Sequence, residues 1–159
     1  MKTDQKILLI GIGNNCRGDD GLGWKFVELV EAMGLDFIHC EFRYQLQVED
    51  AVLISEYDTV YFVDASYEKL LDGFTIRPCT ASAQEQFTTH SQSPEAILSL
   101  TNNLYKKFPN AYVLAIAGES WELETSLSET AKKNLVEAVS FFAELFFEVE
   151  EVTEKVFNG

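Results

Sequence analysis

The chain is poor in the features that mark secreted, membrane-spanning or nucleic-acid-binding proteins. Among its 159 residues only Cys16, Cys40 and Cys79 are cysteines, and no two form a C-x-x-C pair. An odd count at wide spacing argues against a disulfide framework or a zinc knuckle, and for reduced thiols. Basic residues are scarce: 12 Lys and Arg stand against 26 Asp and Glu, a formal net charge of −14. Such a field repels phosphate backbones, which argues against nucleic acid as a partner, and it attracts cations and basic peptides. Most of the charge reads as a solvated acidic surface. No apolar run is long enough to span a bilayer, so no membrane partner is expected. The opening residues, Met1-Lys2-Thr3-Asp4-Gln5-Lys6, lack the layout of a signal peptide, and a cytoplasmic location is expected.

Several motifs are also missing. Gly11-x-Gly13 is present, but Cys16 occupies the third glycine position of a dinucleotide fingerprint. No Gly-Lys-Ser/Thr follows, so the turn is not a P-loop. Gly118-Glu-Ser120-Trp-Glu122 lacks the second glycine of a nucleophile elbow. Asp19-Asp20 are neighbours without an aspartic-protease Asp-Thr/Ser-Gly setting. A thiol dyad of Cys16 with His90 is outweighed by the commoner state of such a cysteine, a small buried thiol in a tight turn.

What is present is a patterned globular chain, 47% apolar, with no repeat or linker. A single domain over 1–159 is expected, with the acidic stretch 148–159 as a frayed tail or an edge strand. Ile7-Leu8-Leu9-Ile10 reads as a buried strand over 6–12. Five of the nine glycines follow it in one run, Gly11 to Gly23. Leu22, Phe26, Leu29, Val30 and Met33 then recur at helical spacing, with Gly34 at the helix end. Strands are expected at 36–42, 59–63, 73–78 and 111–117. A short helix is expected at 48–55, with Val48, Val52 and Ile54 apolar. Ser93-Pro94-Glu95 is a helix start, carried by Ile97, Leu104 and Phe108 to Pro109. Ser126-Leu-Ser-Glu129 has capping-box spacing and opens a helix with Ala131, Leu135, Val139, Phe142 and Phe146 inward. Strands alternating with helices predict an α/β fold: a mostly parallel sheet of about five strands with helices on both faces.

Three side chains carry chemistry. Asp20 follows the first strand, Asp64 ends the strand at 59–63, and His90 precedes the Ser93 helix start. In a parallel sheet the carboxyl ends of neighbouring strands open onto one crevice. Two carboxylates and an imidazole meeting there form a three-ligand site for a borderline divalent metal. Each has a plainer reading. Asp20 or Asp19 could cap the first helix, Asp64 could cap a turn with Ser66, and His90 could be a surface loop residue. His39, the other histidine, sits inside the second strand and reads as structural.

Read in order, Gly11-Ile-Gly13-Asn14-x-x-x-Gly18-Asp19-Asp20-Gly21-x-Gly23, Val63-Asp64-Ala65, Thr89-His90, Leu114-Ala-Ile-Ala-Gly118 and Ser126-Leu127-Ser128 resemble the hydrogenase maturation endopeptidases. The match runs from Lys6 to the last helix. The resemblance implies a three-layer twisted α/β/α sandwich. It implies an endopeptidase that clips a C-terminal extension from a nickel–iron hydrogenase large-subunit precursor once nickel is loaded. By position it implies Asp20, Asp64 and His90 as the metal-contacting residues. Nickel would arrive with the substrate, and the free protein could hold another divalent metal. A monomer is expected. The chain departs from the family pattern in places. Asp20 stands where Glu is common. Phe42-Arg43-Tyr44-Gln45 replaces a glycine-rich turn, a proline after Gly118 is missing, and Ser126 replaces a glycine. The kept triad implies a working enzyme; the altered edges imply a divergent branch with its own partner. Three rivals stand beside this one. They are a non-catalytic metal-sensing module for the same precursor, a nucleotide-binding α/β protein, and an unrelated amidohydrolase on the same sheet. Two acids at the helix terminus disfavour the nucleotide.

Overall fold

Strict alternation in the first strand sets the layers. In the computed structural model, which describes residues 4–82 and 92–147, β1 spans Ile7–Ile12. Ile7 and Leu9 face one core, with α1 (Leu22–Glu31) and α4 (Glu129–Glu144). Leu8 and Ile10 face a second core, with α2 (Asp50–Ile54) and α3 (Pro94–Tyr105). Because successive side chains point to opposite faces, a strand apolar at every position needs cover on both. The result is a three-layer α/β/α fold.

The sheet has five strands in the order β2-β1-β3-β5-β4, where β2 is Ile38–Arg43, β3 Thr59–Ser66, β4 Phe74–Pro78 and β5 Asn110–Ala117. The β1–β2, β1–β3 and β3–β5 pairs are parallel; β4 joins β5 antiparallel at the edge. β2 lies on one side of β1 and β3 on the other. The chain direction across the sheet therefore reverses at β1, and a crevice opens between the carboxyl ends of β1 and β3.

The helix starts follow their caps. Ser93 Oγ accepts from Ala96 N at 3.0 Å with Pro94 next in line, as expected. At α4 the cap is Ser128, accepting from Ala131 N at 3.1 Å, and not Ser126. Apolar spacing overstated several helices. Leu29 on α1 and Met33 just after it, Val48 and Val52 around α2, and Leu104 and Phe108 around α3 are exposed. The core side of α1 is Leu22, Phe26, Val27 and Val30. α3 stops at Tyr105, with Lys106 left-handed at φ 54, short of Pro109. Beyond Thr101 no described residue of α3 is buried, so nothing holds the pattern inward. Strand β3 runs past Asp64 to Ser66. Cys16 is exposed, not buried in its turn, and no disulfide forms among the described residues. The expected tail at 148–159 lies outside the described residues. No helix among them is long and apolar enough to cross a membrane.

One glycine sets how closely α1 approaches the sheet. A Cβ built on Gly23 would lie 2.5 Å from the Val63 carbonyl oxygen and 2.6 Å from that of Ile12. The helix backbone thus rests directly on the carboxyl ends of β1 and β3. Gly23→Ala is expected to cost about 1–3 kcal/mol, the range for overpacking a filled site. Urea unfolding reads this, and an unchanged midpoint would overturn the close packing.

Candidate functional site

The loop leaving β1 is bent back on itself by its own backbone. Gly13 has φ 140, and a side chain there would collide with the Asp20 carbonyl. Its N–H donates to the Arg43 carbonyl at 3.0 Å, tying the loop to the end of β2. A one-turn 3-10 helix over Gly18–Gly21 then carries Asp19 and Asp20. Neither acid caps α1, whose N-cap is Gly21 without a side-chain bond. The two carboxylates divide the work instead.

Asp20 turns to the crevice. Its Oδ2 accepts from Asn14 N at 2.9 Å. Burial raises its pKa, against the Asn14 N–H and the Arg17 charge, which lower it. Asp64, near the end of the adjacent β3, accepts from its neighbour Ala65 N at 2.8 Å through Oδ1. Burial pushes Asp64 up to about 7; the Ala65 N–H opposes this, and the negative charge of Asp20 adds to it. The two acids therefore sense each other. Among the described residues, Asp20 Oδ1 and Asp64 Oδ2 take no hydrogen bond, so each acid keeps one oxygen for a ligand. Two carboxylates placed in this way suit a divalent cation, which turns their repulsion into attraction.

Both acids line a cleft of about 510 Å³. Ile12, Phe62 and Val113 line it from the sheet, Arg77 from β4, and Gln92, Ser93 and Pro94 from the start of α3. Arg77 also pairs with Glu95 at 3.0 Å. His90 lies outside the described residues; Gln92, two positions on, is on the cleft wall. Among the described residues no three His, Cys, Asp or Glu side chains gather closely enough to hold a metal. The structure thus brings Asp20 and Asp64 together. His39 sits elsewhere, exposed on the edge strand β2 against Glu41 at 2.8 Å.

The rim where a glycine-rich turn was missing is built from rings and an ion pair. Trp24 packs on Phe42 and Tyr44 with centroids 5.5 and 5.1 Å away, and its Nε1–H donates to the Arg43 carbonyl at 3.0 Å. Arg43 bridges Glu41 and the buried Asp50, at 3.0 Å to each. Tyr44 and Gln45 then line the cleft. Nothing in the local sequence signals that Arg43 would find Asp50 on the next helix.

Asp19 points inward and is fully buried. Its Oδ2 accepts from Glu119 N at 2.6 Å, Ser120 N at 2.8 Å and Ser128 Oγ at 2.7 Å, and its Oδ1 from Ser128 N at 2.7 Å. Burial raises its pKa, but these bonds outweigh burial and hold the carboxyl below its ordinary value. Asp19 thereby clamps the loop after β1 to the loop between β5 and α4. Its neighbour Asp20 inherits a fixed position. The same bonds place Ser128 as the α4 cap, which is why the cap falls two residues beyond Ser126.

The fold is that of the hydrogenase maturation peptidases. The chain is similar to a [NiFe] hydrogenase maturation protease, HycI, from Thermococcus kodakarensis KOD1, at TM-score 0.69 and 21% identity over 90% of this chain and 94% of that one. It is similar to the hydrogenase 2 maturation peptidase of a Thaumarchaeota archaeon, at TM-score 0.67 and 21% identity over 91% of this chain and 100% of that one. For the hydrogenase maturating endopeptidase HybD from E. coli, the TM-score is 0.66 and the identity 18%, over 86% and 89%. No family model matches the chain, and no curated protein matches it in sequence.

Two outcomes follow for the acids. The folded pKa of Asp64 lies well above the ordinary carboxylate value, at about 7. Its ionisation therefore destabilises the fold increasingly as pH rises from about 4 to about 7, and fully above that. Asp64→Asn, which cannot ionise, is expected to raise Tm in chelator at pH 8 and to lose that advantage toward pH 4. An equal effect at both pH values would remove the coupling. Asp19 has the opposite sign: its contribution is present above the ordinary carboxylate pKa and fades as pH falls through its lowered value. Asp19→Asn is expected to cost about 3 kcal/mol at pH 7 in urea unfolding, because donors then meet an amide instead of a carboxylate. A loss under about 0.5 kcal/mol would show that the clamp is dispensable.

Proposed function

We propose that this chain is an endopeptidase that removes the C-terminal extension of a nickel–iron hydrogenase large-subunit precursor. Asp20, Asp64 and His90 read the nickel that the precursor carries. The observation that carries the reading is the facing pair, Asp20 and Asp64, in one cleft at the reversal point of the sheet. Further support comes from the fold shared with maturation peptidases over most of the chain. Gln92 and Ser93, which follow His90 in sequence, line the same cleft and support the reading.

In this reading nickel is cargo on the substrate, held by the precursor's cysteines. Asp20 and Asp64 each supply one free oxygen and His90 an imidazole nitrogen, which suits a borderline divalent ion. The cation supplies Lewis-acid polarisation at the scissile bond, so no serine or cysteine nucleophile is required of the peptidase. Ser93, the serine on the cleft wall, is spent as the α3 cap. Asp19 positions Asp20 and stays away from the substrate. Any divalent metal held by the free protein would use the same three side chains. The protein acts in the cytoplasm, as a monomer.

The test mixes nickel-loaded and nickel-free precursor with the protein and reads intact mass. The wild type is expected to shorten only the loaded form. Asp64→Asn and His90→Ala are expected to slow processing by about 100-fold or more, beyond what loss of a supporting partner costs. Equal cleavage of both forms overturns nickel reading. Near-normal cleavage by His90→Ala removes His90. Binding without any mass change replaces the peptidase by a non-catalytic sensor of the precursor.

A further inference from the structure

A second feature lies on the carboxyl side of the sheet, outside the cleft. Tyr67, the first residue after β3, and Trp121, in the loop after β5, stack with centroids 3.9 Å apart and planes at 28°. Tyr67 is 72% exposed, Leu71 in the same loop is 99% exposed, and Leu123, two residues from Trp121, is 75% exposed. Leu71 and Glu119 share one groove, which brings the two loops side by side. Large apolar groups clustered in this way on a charged surface mark a contact site.

Charge says what the contact is. The two loops that carry the rings expose Glu68, Asp72, Glu119, Glu122 and Glu124, against a single base, Lys69. Trp121 is half-buried and rests on Gly118, while Tyr67 keeps most of its ring open to solvent, and an aromatic face attracts a guanidinium or ammonium group. Neighbouring carboxylates add to that field, and the leucines suit the alkyl stem of an Arg or Lys side chain.

We propose that the Tyr67–Trp121 stack is the docking surface for a basic segment of the protein substrate, with an Arg or Lys laid on the rings. The proposal rests on the peptidase reading for the identity of that substrate. The clamp gives the surface its use. Asp19 holds the Trp121 loop through Glu119 N and Ser120 N at 2.6 and 2.8 Å, and Gly18 N donates to the Glu124 carbonyl at 2.8 Å. A segment seated on the rings therefore sits at a fixed offset from Asp20. The substrate is gripped at two points, by its ion in the cleft and by its basic segment on the rings.

The test measures Kd and KM for the nickel-loaded large-subunit precursor with wild type, Tyr67→Ala and the exposed double variant Glu122→Lys/Glu124→Lys, at two salt concentrations. Both variants are expected to raise Kd and KM about tenfold with kcat unchanged, in the range of an aromatic or cationic anchor. The double variant is also expected to lose the weakening of binding by salt. Wild-type Kd and KM in both variants overturns the docking surface while leaving the peptidase standing. A precursor that binds but is not cut overturns the peptidase, and the variants' Kd then decides the docking surface. A precursor that the wild type does not bind overturns both.

Discussion

The site depends on one buried carboxylate that lies behind the cleft and does not line it. Asp19 sits without solvent between two loops that are about a hundred residues apart in sequence. A buried charge survives only if its lone pairs are filled, and Asp19 takes hydrogen bonds from Glu119 N, Ser120 N, Ser128 N and Ser128 Oγ. The loop after β1, the turn after β5 and the start of α4 must close together or not at all. In the tight turn of a 3-10 helix, successive side chains splay by about 120°. With Asp19 fixed inward, Asp20 is sent toward the cleft. One residue obeys the rule for buried charge, and the next is free to break it.

That second acid is where stability is given up. Asp20 and Asp64 repel each other in a partly dehydrated crevice, and both are raised from their ordinary values. Sites that strain against their own fold need rigid surroundings. Here the surroundings are the central strands β1 and β3, buried through Gly11 and Val63 and covered on both faces. The helix resting on Gly23 leaves no slack at the carboxyl ends of those strands.

Much of this was legible in the sequence, for reasons that can be named. The run Ile7-Leu8-Leu9-Ile10 could only be a strand covered twice, and the glycines after it could only be a close turn. Asp20 and Asp64 were visible because one follows and the other closes a buried apolar run, and adjacency of the two strands follows from the topology. What stayed hidden needed a partner distant in the chain. Spacing favoured Ser126 as a cap, but Asp19 selects Ser128 from across the fold. Leu29, Leu104 and Phe108 fit helical periods, yet periodicity does not say where the neighbouring layer ends. Likewise, the ring-and-ion-pair rim at Trp24, Arg43 and Asp50 has no local pattern.

The arrangement also bears on how the proposed cargo is told from its absence. Specificity is a difference between two affinities, and a site can widen it by being poor when empty. The protein carries a net charge of −14, so its acidic cleft gains nothing from a neutral visitor and repels an anionic one. A dication removes the repulsion between Asp20 and Asp64 as well as adding its own attraction, so its presence changes the cleft twice over. A metal-free precursor offers neither change and leaves both acids raised. The same repulsion that weakens the empty fold is, in this reading, what makes the loaded precursor distinguishable from the empty one.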